Sequence, residues 1–258
     1  KNAEKMLEEQ RFPVQRMGLQ NFRDSNIDWS TYSLDDPSEQ QVGHKPHKEL
    51  RPHQDRAITN TLIGLQENDR GQLIMACGTG KTFTAIRLAE KFAEQNGGHA
   101  RVLFMVPSLA LMSQSISEFS NEIEGPFHAY AVCSDSKVGR ERKRGGANDD
   151  LADLRVEDLQ IPATTDGTKL ANAMNANPLD EGLEVVFSTY HSIDAVSAAQ
   201  DAGVGEFDLI ICDEAHRTTG VTLADESESN FVKIHDDTCV SGRKRVYMTA
   251  TPKIFNED

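Results

Sequence analysis

The chain has 258 residues, 38% hydrophobic and 26% charged, with a formal net charge of −14 and four cysteines. That length suits one large globular domain with a sizeable core and an appended segment. The charge argues against a generic nucleic-acid-coating protein, and no run approaches the roughly 18 apolar residues needed to span a membrane.

Residues 1 to 48 differ from the rest: "KNAEKMLEEQRF" reads as a short helix, and the polar, turn-rich stretch after it reads as a linker or an arm packed on the domain. From residue 49 an alternation of elements sets in. "RPHQDRAITNTLIGLQ" has Ala57, Ile58, Leu62 and Leu65 at helical spacing behind Pro52. "GQLIMAC" predicts a short strand, "KTFTAIRLAEKFAEQ" an amphipathic helix closed by Gly97-Gly98, and "RVLFMVP" a buried strand. Ser108 is placed to cap the helix "SLALMSQSISEFSNE", and "FHAYAVC" predicts a third strand.

Residues 134 to 155 read as a charged loop or mobile insertion, followed by the helix "DGTKLANAMNA". The strand "LEVVFSTY", the helix "HSIDAVSAAQD", and the strands "FDLIICDEAH" and "KRVYMTATP" complete the pattern. Short, nearly continuous apolar strands alternating with helices predict an α/β domain: a mainly parallel sheet covered on both faces, with its ligand beyond the carboxyl ends of the strands. The cysteines Cys77, Cys133, Cys212 and Cys239 lack metal or C-x-x-C spacing and read as free thiols in a reducing cytosol. Two basic clusters, Arg140–Arg144 and Arg243–Arg245, read as a solvated loop or a strand edge. Starting at Lys1 and stopping at Asp258, the chain reads as a piece of a longer polypeptide.

The chemistry centres on "MACGTGKT". A phosphate-binding loop is written G-x-x-x-x-G-K-[ST], and here Gly80, Lys81 and Thr82 fill the last three places while Met75 stands in the first. Gly78 and Gly80 let the backbone turn and aim N–H groups at phosphate, the following helix adds its N-terminal dipole, Lys81 can reach the β- and γ-phosphates, and Thr82 can hold Mg²⁺. Met75, at the end of "QLIM", can pack into the sheet. The second half of such a site is a pair of acids after another strand. Asp213, closing "LIIC", can hold Mg²⁺ through water, Glu214 can act as general base, and His216 can link the site to a neighbouring element. The alternatives are a glycine-rich turn that happens to carry lysine and an ordinary acidic turn.

These motifs resemble the first RecA-like domain of superfamily 2 DEAH-box helicases and translocases over about residues 48 to 255. The resemblance implies a P-loop NTPase fold with ATP and Mg²⁺ as cofactors, and nucleotide contacts from Cys77, Gly78, Thr79, Gly80, Lys81, Thr82, Asp213 and His216. In "LRPHQDRAI", Gln54 would read the adenine edge and Arg51 would shape that pocket. "VLFMVPSLALMSQ" would put Pro107 and Ser108 near the nucleic-acid path, and "VVFSTYHSI" would add a backbone contact around Ser188, Thr189 and Tyr190. In "YMTATP", Thr249 and Thr251 would couple the ATP site to DNA. "DEAHRTTG" and "TATPKIF" are similar to the motors of Type I and, more so, single-chain Type ISP restriction-modification enzymes. In those enzymes an Mrr-like nuclease domain precedes the motor, and methyltransferase and target-recognition domains follow it. No P-D-x-D/E-x-K nuclease signature is visible in this chain. The implied function is the N-terminal ATPase core of a cytoplasmic double-stranded DNA translocase, slow without the second RecA-like domain and its arginine finger. A strand-separating DNA or RNA helicase and an ATP-gated clamp are the rival readings.

Overall fold

A computed structural model of the chain describes residues 19–31, 43, 45–133, 159–217 and 226–251. The helix expected over residues 1–12, the insertion 134–155 with Arg140–Arg144, and the last residues of "TATPKIF" lie outside them. Among the described residues, one sheet is built from β1 (Arg70–Ile74), β2 (His99–Val106), β3 (Phe127–Val132), β4 (Ala163–Thr164), β5 (Gly182–Thr189), β6 (Phe207–Cys212) and β7 (Gly242–Thr249). All pairings are parallel, in the order β1-β7-β6-β2-β5-β3-β4. The helices are α1 (Leu19–Asp24), α2 (Pro52–Glu67), α3 (Lys81–Gln95), α4 (Leu109–Glu122), α5 (Gly167–Ala176), α6 (Ile193–Ala199) and α7 (Glu226–Lys233). None is long and apolar enough to cross a membrane.

The sheet is apolar on both faces because both are covered. Val102, Phe104, Val185, Phe187, Leu209 and Ile211 join one core with α2, α3 and α4, while their neighbours Leu103, Met105, Val186, Ile210 and Cys212 join a second core with α5 and α6. This is the pattern of a fully buried parallel sheet, where period-2 alternation sends an apolar side chain to each side. Phe104, Phe119 and Phe187 fix the first core, with ring centroids 5.0 to 5.8 Å apart. α2 buries Ile58, Leu62 and Leu65, and also Gln54, which a purely apolar stripe does not predict.

Three elements escape a sequence reading: α1, in the stretch read as a linker or arm, β4, too short to show a period, and α7, which begins among polar residues. The cluster Arg243–Arg245 is not a uniformly solvated edge. β7 lies between β1 and β6, so its side chains cannot all reach water. Arg243 bonds Asp208 and Asn96, each at 3.0 Å, Lys244 pairs with Asp69 at 2.8 Å, and Arg245, 1% exposed, pairs with Asp237 and donates to the Val240 carbonyl.

At the start of β5, Gly182 has φ +97°, and a Cβ there would lie 2.1 Å from the Pro126 carbonyl oxygen. The Gly182 N–H donates to Gly98, and the next N–H donates to that same Pro126 oxygen, so neither partner can retreat without losing a bond. Gly182→Ala is expected to destabilise the fold by about 2 kcal/mol or more, read as a lower urea midpoint at unchanged slope. An unchanged midpoint would show that the β3–β5 corner yields.

Candidate active site

β1 and β6 deliver their ends to the same edge of the sheet with β7 between them. Two strand spacings are about 10 Å, a gap that two long side chains can close. After β1, Met75 is 7% exposed and belongs to the core, and its N–H donates to Thr249 O at 3.0 Å, extending the β1–β7 ladder by a residue. The non-glycine first position thus serves packing and leaves the turn to later residues. Thr79 closes that turn, its N–H and hydroxyl both donating to Ala76 O at 3.3 and 2.7 Å. Gly78 and Gly80 have φ of +73° and +84°. Gly80 precedes the first residue of α3, and a Cβ on it would lie 2.6 Å from Gln54 Nε2, so both conformation and space require glycine there. α3 buries Phe83, Ala85, Ile86, Leu88, Ala89 and Ala93, which anchors the helix N-terminus that follows the loop. Cys77 is exposed with the loop, unlike the buried Cys133 and Cys212.

Lys81, first residue of α3, reaches across to Glu214, with Nζ 3.1 Å from Oε1. His216 Nδ1 lies 3.3 Å from Glu214 Oε2 and 3.2 Å from Thr249 Oγ1. The Thr249 hydroxyl also accepts from Thr251 N–H at 3.2 Å. One connected chain therefore runs Lys81, Glu214, His216, Thr249, Thr251, joining the loop after β1, the turn after β6 and the end of β7. Asp213 is 6% exposed; its N–H donates to Met105 O at 2.8 Å and its Oδ1 accepts Glu214 N–H at 2.9 Å. Burial pushes its carboxyl up to about 6, the Glu214 charge adding to the effect and the Glu214 N–H and Lys81 opposing it. A cation beside Asp213 would offset that desolvation. The donor set, one carboxylate with the Thr82 hydroxyl available, fits Mg²⁺, which keeps water and phosphate oxygens in most of its positions. Among the described residues no three His, Cys, Asp or Glu side chains gather into a dedicated metal cluster.

Two residues expected to meet ligands are engaged within the protein. Gln54 is 4% exposed, and both ends of its amide are engaged: Oε1 accepts the Arg51 N–H at 2.9 Å and Nε2 donates to Thr79 O at 3.0 Å. It thus fastens the start of α2 to the loop after β1, and in this conformation does not present a free edge to a base. The signal was in the sequence: a glutamine three residues after a helix N-cap reaches back to the cap N–H. Arg51, that N-cap, is exposed. His53, not singled out in the sequence, adds a second contact to Thr79 O at 3.3 Å.

Tyr190, expected at a nucleic-acid backbone, is 0% exposed, its hydroxyl donating to Asp213 O at 2.9 Å and its ring stacked on Phe231 at 4.8 Å. Thr189, 7% exposed, donates to Ser192 Oγ at 3.1 Å, and the Ser188 hydroxyl donates to Thr189 O at 3.1 Å. Of the other residues expected on that path, Pro107 is buried and Ser108 caps α4, its hydroxyl accepting from Leu111 N–H at 3.3 Å.

The chain is similar to several known proteins. Residues 47–254 match a family profile described as "Type III restriction enzyme, res subunit", and residues 1–39 match one described as "Restriction endonuclease". A solved structure of the ATP-dependent Type ISP restriction-modification enzyme LlaBIII bound to DNA superposes with a TM-score of 0.83 at 38% identity, covering 100% of this chain and 16% of that one. A nuclease-deletion mutant of the Type ISP enzyme LlaGI, in complex with a DNA substrate mimic, gives 0.64 at 40% identity, covering 81% of this chain and 18% of that one. A probable helicase of African swine fever virus is 26% identical over 213 residues, 80% of this chain and 20% of the viral protein. The chain therefore spans about a fifth of the length of these relatives.

Proposed function

The chain belongs to the family of the Type III restriction enzyme res subunit, and on that premise we propose that it is the ATP-hydrolysing N-terminal core of a double-stranded DNA translocase in a cytoplasmic restriction-modification enzyme. It is a superfamily 2 RecA-like domain similar to Type ISP motors. The observation that carries the proposal is the Lys81–Glu214 pair at 3.1 Å, the phosphate-loop lysine meeting the acid of a separate strand across β7. In the nucleotide-free protein the two charges neutralise each other. A triphosphate draws Lys81 to its β- and γ-oxygens, and Glu214, so released, takes the proton of the attacking water. The N–H groups of the loop from Cys77 to Gly80 cradle the phosphates. Thr82 and Asp213 would hold Mg²⁺, which when bound would supply charge to stabilise the transferring phosphoryl group. His216, touching both Glu214 and Thr249, passes the change in pairing to Thr249 and Thr251.

In this reading the arm through residue 48 joins a nuclease domain, a view supported by the endonuclease match over residues 1–39. A second RecA-like domain contributes the arginine that completes the site, typically worth on the order of 10³-fold or more in related NTPases. The domain by itself therefore binds Mg·ATP and turns it over slowly. The DNA complexes of the two Type ISP neighbours support a DNA track, in our reading a duplex gripped through its phosphates.

The test is made on the full-length polypeptide. ATP hydrolysis is expected to rise when linear duplex DNA is added, and a triplex-forming strand to be displaced while the duplex stays paired. Turnover indifferent to DNA would sink the translocase assignment. Separated duplex strands would move it to a strand-separating helicase.

A further inference from the structure

The turn that carries the two acids has an unusual backbone. Glu214 is the one non-glycine residue with positive φ among the described residues, at +50°. A glutamate seldom adopts that left-handed conformation, so something must hold it there. The peptide plane between Asp213 and Glu214 is tied at both edges. Its N–H, on Glu214, donates to Asp213 Oδ1 at 2.9 Å, and its carbonyl, on Asp213, accepts the Tyr190 hydroxyl at 2.9 Å. The first tie lies within the turn and moves with it. The second comes from the turn after β5 and references the plane to the body of the domain.

Tyr190 is built to give such a reference. It follows β5 directly, is 0% exposed, and packs its ring on Phe231 of α7 at 4.8 Å with the planes 27° apart. Burial and this stack limit where the hydroxyl can point. We propose that Tyr190 is a positioning residue for the hydrolytic acids: its hydroxyl locks the Asp213–Glu214 peptide in the orientation that aims the Glu214 carboxylate at Lys81 and His216. The proposal rests on the hydrolytic reading of the site. Without the hydroxyl, the Asp213 carbonyl loses its buried partner, the peptide plane can rotate, and Glu214 relaxes toward negative φ. Its carboxylate then leaves the line between Lys81 and His216, where the attacking water is to be activated. Loop, lysine and nucleotide contacts stay in place, so the loss falls on turnover rather than on binding.

The experiment compares wild type, Tyr190→Phe and Phe231→Leu in the full-length polypeptide, measuring kcat and KM for DNA-stimulated ATP hydrolysis, Kd for Mg·ATP and the far-UV melting curve. Tyr190→Phe keeps the ring and removes only the hydroxyl; its kcat is expected to fall about tenfold with KM and Kd unchanged. Phe231→Leu loosens the packing that holds the ring but keeps the hydroxyl, and its kcat is expected to fall less than that of Tyr190→Phe, by about threefold. A wild type without ATP hydrolysis would overturn the hydrolytic reading itself. With an active wild type, three results would overturn the positioning role alone: Tyr190→Phe with unchanged kcat, equal kcat losses in the two variants, or a Tyr190→Phe chain that no longer folds, since that would make the phenol a structural element.

Discussion

Glu214→Gln in the full-length polypeptide is expected to lower DNA-stimulated kcat by on the order of 10²- to 10⁴-fold, the usual contribution of a general base. Affinity for Mg·ATP should hold or improve. The sign follows from the pairing at the site. Glu214 and the phosphates compete for Lys81, which sits 3.1 Å from the carboxylate. A neutral amide of the same shape removes the competing charge, so the lysine is freer to meet the triphosphate. The amide keeps an oxygen for His216 and leaves the backbone turn untouched. Single-turnover hydrolysis and equilibrium binding of a fluorescent ATP analogue separate the two effects. Undiminished turnover would remove Glu214 from the chemistry, and a loss of binding matching the loss of turnover would make it a structural residue.

Asp213→Asn is expected to stabilise the protein when nucleotide and divalent cations are absent. The native carboxyl is raised from 3.8 to about 6 by burial. A raised acid means that the folded state binds the proton more tightly than the unfolded one, so stability falls as pH rises through that window and the full penalty is present above it. Two pKa units and a little more, at 1.36 kcal/mol each, come to about 3 kcal/mol at pH 8. Asparagine keeps an oxygen to accept the Glu214 N–H, now held at 2.9 Å, and carries no charge to desolvate. In EDTA at pH 8 the variant should melt several degrees above wild type, and the difference should vanish near pH 4. Added Mg·ATP should then stabilise wild type and leave the variant nearly unmoved. An asparagine variant that melts no higher than wild type at pH 8 would show that the buried charge is compensated in the native state.

Much of the site was legible because its parts are local. Gly78, Gly80, Lys81 and Thr82 lie within five positions of one strand-to-helix turn, and Asp213 and Glu214 directly follow an apolar run. Spacing alone sets which backbone groups and side chains meet there. Met75 was readable for the same reason, since an apolar residue closing a buried strand has one place to go. The protein partners of Gln54 and Tyr190 were not readable because their surroundings come from far along the chain. Gln54 is buried by a loop carbonyl 25 residues away, and Tyr190 by Asp213 and by Phe231 of α7. Polarity in the local sequence says that such a group needs a partner; it does not say whether the partner is solvent, ligand or protein.

The sequence by itself determined the class of the fold, the covered parallel sheet and the two halves of the candidate site. Those properties follow from periodicity and from residue types at short spacing, which act within a few turns or strands. Only the tertiary structure decided the strand order that sets β7 between the lysine and the acids, and so the chain of contacts from Lys81 through Glu214 and His216 to Thr249. It alone also decided that the Glu214 backbone is left-handed and that a buried tyrosine holds it so. Both depend on which distant segments pack together, a choice made by the fit of the two cores on either side of the sheet rather than by any local preference.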